Sequence, residues 1–135
     1  MLMIQWDTNL SVGIKEIDDQ HKQLVSMLNE LSDAIQKDKG KEAYERIIEG
    51  LKKYTVIHFG TEEQYFDQFG YPEAESHKRE HAIFVQRVTD FEKRFREGPF
   101  VLPLDMLTFL VNWLRVHIEV VDKRYAPFFH EHGLS

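Results

Sequence analysis

Two pairs of side chains, His58 with Glu62 and His77 with His81, repeat a spacing of four residues. On a helix that spacing puts both members of a pair on one face. His117 and Asp122 form a third pair, five residues apart, and His21 stands near the start of an amphipathic stretch. A single histidine on an apolar face ordinarily packs in the core with a hydrogen bond. A single buried glutamate ordinarily pairs with an arginine or with water. A whole set on apolar faces is different. At about 1–3 kcal/mol for each group left without a partner, the set would cost on the order of 7–20 kcal/mol. The net stability of a domain is only about 5–15 kcal/mol. The nearby basic residues Lys52, Lys53, Lys78 and Arg79 fall on flanks or polar sides, where they do not pair with the set.

A metal site satisfies all of these groups together. Five imidazoles and two carboxylates exceed what one ion takes and suit a dinuclear centre. Suppose that Glu62 and Asp122 both bridge, with one oxo or hydroxo group between the ions. An ion with three histidines then has a full octahedral set, and an ion with two keeps one position open, as a binding site requires. Zinc is usually four-coordinate, and magnesium and calcium prefer oxygen donors. Mixed imidazole and carboxylate suits iron, with manganese or cobalt behind it.

Four stretches of helical period must carry these groups. The first holds His21, Leu24, Val25, Leu28, Leu31 and Ile35, with Asp18 as its expected N-cap and KDKG, ending at Gly40, as its stop. The second holds Tyr44, Ile47, Ile48, Leu51, Thr55, His58, Glu62, Tyr65 and Phe69, and Gly70 ends it. Pro72 suits the first turn of the third, which holds His77, His81, Phe84, Val88, Phe91 and Phe95. Glu97 to Pro103 reads as a loop. The fourth holds Leu107, Leu110, Leu114, His117, Ile118, Val121, Asp122 and Tyr125, with Pro127 close behind.

Four such helices with short connections predict an all-α fold, an antiparallel up-down-up-down four-helix bundle. Residues 1–135 read as one domain. Met1 to Ile17 are expected as an extended N-terminal arm, laid on the bundle by Trp6, Leu10, Val12 and Ile14. In a regular α-helix, residues five apart are turned about 140° from each other, so Asp122 is expected to enter from the side of its helix. Glu63 and Glu80 are expected to face outward, and His130 and His132 to be solvated.

Composition narrows the function classes. A net charge of -6 disfavours nucleic acid as a partner. The absence of cysteine excludes disulfides, thiolate zinc sites, cysteine-ligated iron–sulfur clusters and blue copper. No apolar run approaches the ~20 residues of a membrane span. The N-terminus lacks the basic start and long apolar run of a signal peptide, so a cytoplasmic location is expected.

At its site residues the sequence resembles the hemerythrin family. The likeness is carried by SVGIKEIDDQHKQL (Ser11 to Leu24), HFGTEEQYF (His58 to Phe66), YPEAESHKREH (Tyr71 to His81) and WLRVHIEVVDKRY (Trp113 to Tyr125). Any one pair would be weak; H, HxxxE, HxxxH and HxxxxD in succession are specific. The resemblance implies reversible O2 binding at a non-haem di-iron centre. It implies that His77, His81 and His117 hold one iron and that His21 and His58 hold the other, which takes the O2. It makes Glu62 and Asp122 bridges. Leu24, Phe59, Trp113, Leu114 and Ile118 match positions lining the family's O2 pocket, where few groups could donate a proton. Phe66 departs from the methionine common in the family, a change of packing.

An O2 carrier, store or delivery protein is the reading that follows, with O2 as ligand and a protein recipient of O2 as candidate partner. An O2 or redox sensor acting through a partner is an alternative, since 135 residues leave no room for a signalling domain. A di-iron enzyme with peroxidase or nitric oxide chemistry is another. Ferritin-like oxidases use ExxH pairs, whereas the residues three before these histidines are Asp18, Thr55, Ala74, Lys78 and Leu114.

Overall fold

The computed structural model describes residue 6, residues 8–97 and residues 103–135, except for the side chains at positions 9, 103, 104 and 120. The rest of the expected arm, and residues 98–102 of the expected loop, lie outside the described residues. The described residues are all helical or irregular, without strands. Helix α1 spans Lys15–Gln36, α2 Lys41–Phe69, α3 Ala74–Glu97 and α4 Pro103–Val116. Helix α4 runs on through a π-turn, His117–Val121, and a 3-10 turn, Asp122–Arg124, into a short α5, Ala126–Glu131. No helix among the described residues is long and apolar enough to cross a membrane.

Helix α1 begins earlier than its capping signal suggests. Asp18 lies inside the first turns rather than at the N-cap, which is Ile14. Its carboxylate reaches back to accept from the Val12 backbone N–H at 2.8 Å and from the Ser11 hydroxyl at 2.6 Å. It thereby pins the arm to the helix, and the arm ends at Ile14 rather than Ile17. The arm carries a short 3-10 turn, Thr8–Leu10. Leu10, Val12 and Ile14 are buried, and Trp6 packs against the core. Pro72 sits in the turn before α3 rather than inside it. Gly70 closes α2 with φ +69, a left-handed conformation that glycine adopts without the Cβ penalty.

Apolar side chains form two clusters with the polar set between them. One includes Leu24, Leu28, Leu51, Phe59, Phe84, Leu110, Leu114 and Ile118. The other includes Ile17, Phe66, Tyr71, Tyr125 and Phe129. Along α1 the order is Ile17, His21, Leu24; along α2 it reverses to Phe59, Glu62, Phe66. It reverses again from Tyr71, just before α3, past His77 and His81 to Phe84. On α4 and the turns that continue it the order runs from Leu114 past His117 and Asp122 to Tyr125. Successive helices therefore cross the polar layer in opposite senses.

The π-turn corrects the expected position of Asp122. Its hydrogen bond runs from the Asp122 backbone N–H to the His117 carbonyl, five residues back. In such a turn residues five apart stack as residues four apart do in an α-helix. Asp122 thus shares the face of His117 instead of entering from the side. The extra residue also keeps Tyr125 and Phe129 directed inward, where both are fully buried.

Deleting Glu119, which is exposed within the π-turn, leaves His117 and Asp122 four apart, the α-helical equivalent. Circular dichroism and the melting midpoint of this variant are expected to stay close to those of the parent. An alanine inserted after Glu119 turns everything that follows by about 100° and should lower the midpoint by about 10 °C or more. A deletion as damaging as the insertion would contradict a role for the turn in setting phase alone.

Candidate metal centre

Each of the four long helical segments delivers part of the polar set to one buried layer. His21, His58, Glu62, His77, His81, His117 and Asp122 are each at most 4% exposed. Bulk solvent therefore does not reach these groups. The five imidazoles turn their Nε2 atoms toward the two carboxylates. His21 Nε2 lies 2.9 Å from Asp122 Oδ2, while His77 and His117 lie 3.0 and 2.8 Å from Asp122 Oδ1. Glu62 Oε1 lies 3.3 Å from His58 Nε2, 3.2 Å from His81 Nε2 and 3.9 Å from His117 Nε2.

The Nε2 atoms of His81 and His117 pair with each other at 3.3 Å, but most of the other atoms are near one another without being satisfied by one another. Both nitrogens of His21, Nε2 of His58 and His77, Oε1 of Glu62 and both oxygens of Asp122 make no hydrogen bond. For the contacts of His21, His58 and His77 Nε2 with the carboxylates the distances would allow bonds, but the angles do not. Donor atoms that converge yet do not face each other are directed at shared points between them, as ligands of a cation are. The atoms fall into two groups, each within 4.8 Å: Glu62 with His77, His81 and His117, and His21 and His58 with Glu62 and Asp122. Three histidines in one group and two in the other, with Glu62 common to both, fit a non-haem di-iron site by donor chemistry and number.

The electrostatics match a site prepared for positive charge. Burial pulls His58 down to about 4, only partly offset by the Glu62 carboxylate. Burial also works against charge on His117, but the Asp122 and Glu62 carboxylates outweigh it and raise His117 to about 10. Burial and Asp122 push Glu62 upward, yet the surrounding imidazoles win and hold it below the usual carboxylate range. Asp122 is held well below its usual range in the same way, chiefly by His117. Both carboxylates therefore stay ionised, and a proton on His117 does part of the work of a cation.

Outer contacts fix the rings. His58 Nδ1 lies 2.7 Å from Gln20 Oε1, and His81 Nδ1 lies 3.0 Å from Glu63 Oε2. Such partners orient a ligating imidazole and set its tautomer. Glu63 therefore does not face outward as expected; its half-buried carboxylate reaches across to α3. Glu80 also departs from expectation, keeping one carboxylate oxygen buried. The Tyr125 hydroxyl donates to Glu62 Oε2 at 2.5 Å. Helical periodicity gives no sign of Gln20 or Glu63, because each serves a histidine on a neighbouring helix. His130 and His132 are exposed, as expected.

Beside the site lies an apolar cavity of about 10 Å³, lined in part by Leu24, Thr55, Phe59, Trp113 and Leu114. Phe59 stacks on His81 with centroids 3.7 Å apart, and Trp113 stacks on His117 at 4.3 Å. Ile118 is buried in the same apolar cluster but does not line this cavity. Thr55 is the polar residue of the lining, and its hydroxyl donates to the Leu51 carbonyl at 2.7 Å.

Comparison with known proteins agrees with the geometry. The hemerythrin HHE cation binding domain matches residues 12–129. A bacteriohemerythrin of Stenotrophomonas maltophilia (strain R551-3) is 36% identical over 126 residues, covering 93% of this chain and 81% of that protein. A bacteriohemerythrin of Methylococcus capsulatus (strain ATCC 33009 / NCIMB 11132 / Bath) is 32% identical, covering 94% and 97%. A crystal structure of wild-type hemerythrin superposes with a TM-score of 0.86 at 31% identity, covering 94% of this chain and 97% of that one.

The pKa of His117 sets a pH dependence for the metal-free protein. Its folded value, about 10, lies above an unfolded value of about 6.5. The stabilisation is therefore complete below pH ~6.5 and is lost as pH rises toward 10. The melting midpoint of metal-free protein should fall between pH 7 and pH 10. Metal-loaded protein should melt higher and lose this alkaline slope, because the cation replaces the proton. Loading with ferrous iron at pH 8 should release at least about one proton per chain to an indicator dye. Equal midpoints with and without metal would contradict the assignment.

Proposed function

The chain belongs to the hemerythrin family, and on that premise we propose that it binds O2 reversibly, as a carrier, store or delivery protein rather than an enzyme. The observation that carries this reading is the pair of buried donor groups that share Glu62. His77, His81 and His117 would hold one iron, and His21 and His58 the other. Glu62 and Asp122 would bridge them, together with an oxo or hydroxo group. When bound, the two irons supply the electrons that O2 takes up and returns. The frame for these groups is a single domain over residues 1–135, an antiparallel up-down-up-down four-helix bundle. The alternating order of the apolar clusters along successive helices supports it.

The surrounding residues determine what enters and what is kept out. Leu24, Phe59, Trp113 and Leu114 form an apolar recess suited to an uncharged diatomic and unfavourable to anions. At about 10 Å³ the recess is near the lower limit for one small molecule. Thr55 directs its only proton to Leu51, so the recess offers no donor from that side chain. Withholding protons and bulk water protects the reduced state, which is what a reversible binder needs and an oxidase does not. Leu114 is 6% exposed and forms part of the wall. Ile118 belongs to the same apolar cluster as the wall residues Leu24, Phe59 and Leu114.

The test is an absorption spectrum through reduction, exposure to air and deoxygenation, paired with metal analysis. About two irons per chain, and colour that appears in air and disappears when O2 is removed, are expected. Steady O2 consumption with a centre that stays oxidised would overturn the reading in favour of an oxidase. Leu114→Ala should admit water and quicken autoxidation severalfold, followed as decay of the oxygenated spectrum. An unchanged rate would remove Leu114 from the barrier.

A further inference from the structure

Glu62 is held differently at its two oxygens. Oε1 faces His58, His81 and His117, whereas Oε2 accepts the short hydrogen bond from Tyr125. Tyr125 is completely buried. Its ring lies between Phe129, with centroids 4.7 Å apart, Phe66 at 5.6 Å and His77 at 5.6 Å. This aromatic floor keeps water away, and a hydrogen bond to a charged group is strengthened where the local dielectric is low. Tyr125 is also tied to Asp122, since its backbone N–H donates to the Asp122 carbonyl at 3.2 Å. One short turn after the π-turn therefore places one carboxylate and braces the other.

We propose that Tyr125 is a positioning residue that fixes the orientation of Glu62 and sets the redox balance of the metal pair. The inference rests on the di-iron reading above. A bond of the O–H···O⁻ type draws charge from the carboxylate. Outer hydrogen bonds of this kind tune both the affinity and the electronics of a metal site. A bridge depleted of charge is a weaker donor, and the loss weakens its hold on Fe(III) more than its hold on Fe(II). Tyr125 accordingly favours the reduced state, from which O2 is bound. It lies at the floor of the site in the Phe66–Phe129 cluster, away from the Leu24–Trp113 recess, so it does this without adding a proton donor to the recess.

The experiment compares wild type, Tyr125→Phe and a protein carrying ring-fluorinated tyrosine at position 125. Each is measured with iron bound, for midpoint potential, iron content and the rate of iron loss to a chelator. Tyr125→Phe keeps the ring and removes only the hydroxyl. It should bind two irons, show a lower potential and lose iron about tenfold faster. The fluorinated ring is a stronger donor and should raise the potential above wild type. A merely structural tyrosine would change the melting midpoint but not order the potentials by donor strength. Unchanged potentials across the series, with two irons bound, would overturn the proposal. Should Tyr125→Phe fail to fold, a fluorinated protein with an unshifted potential would overturn it equally. Wild type that never takes up two irons would sink the di-iron reading itself, and this inference with it.

Discussion

The centre of this protein is a concentration of polar and ionisable groups in a place where water does not reach. Two ionised carboxylates and five imidazoles in a protein interior need compensating positive charge, because burial disfavours each charge separately. In the metal-free chain a proton on His117 supplies some of it. Nothing satisfies the remaining donor atoms of His21, His58, His77, Glu62 and Asp122. The fold thus stores a demand for cations in a layer that the two apolar clusters shield from bulk solvent. Affinity for metal and the stability of the bundle are two aspects of one arrangement.

Such an arrangement depends on phase. His58 with Glu62 and His77 with His81 take their alignment from the ordinary α-helical repeat. His117 and Asp122 cannot, and the π-turn supplies the missing rotation. Its effect extends past the site: Tyr125 and Phe129 keep their inward directions and close the second cluster. A local departure from α geometry therefore couples the fourth helix to both buried carboxylates, to Asp122 by position and to Glu62 through the Tyr125 hydroxyl.

The two sides of the layer differ in chemistry. On one side Leu24, Phe59, Trp113 and Leu114 leave a small recess with no free donor from Thr55. On the other, Phe66, Tyr125 and Phe129 pack tightly and present a single hydroxyl to Glu62. The first side suits a small apolar ligand; the second braces a carboxylate of the buried donor set. Phe66, which stands where the family commonly has methionine, packs against His77 at 4.8 Å. The departure falls in the floor, where packing rather than ligation is at stake.

Most of the site was legible in the sequence because helical periodicity turns spacing into direction. Four apolar stripes, each interrupted by imidazole or carboxylate at spacings that share a face, were enough to bring His21, His58, Glu62, His77, His81 and His117 into one layer. Ends and cross-helix partners were not legible. Asp18 looks like a cap because its type favours caps, but only the folded arm shows that it grips Ser11 and Val12. Gln20 and Glu63 lie beside His21 and Glu62 in the chain yet serve histidines on other helices, and no single-helix pattern encodes that. The type of Asp122 marks it as a ligand candidate, but its direction is not legible, since five residues imply a turn away from His117 unless the helix widens. Residue type and spacing determined which groups meet. Tertiary structure decided how they are oriented and braced, because backbone phase and contacts between helices arise only when the segments pack together.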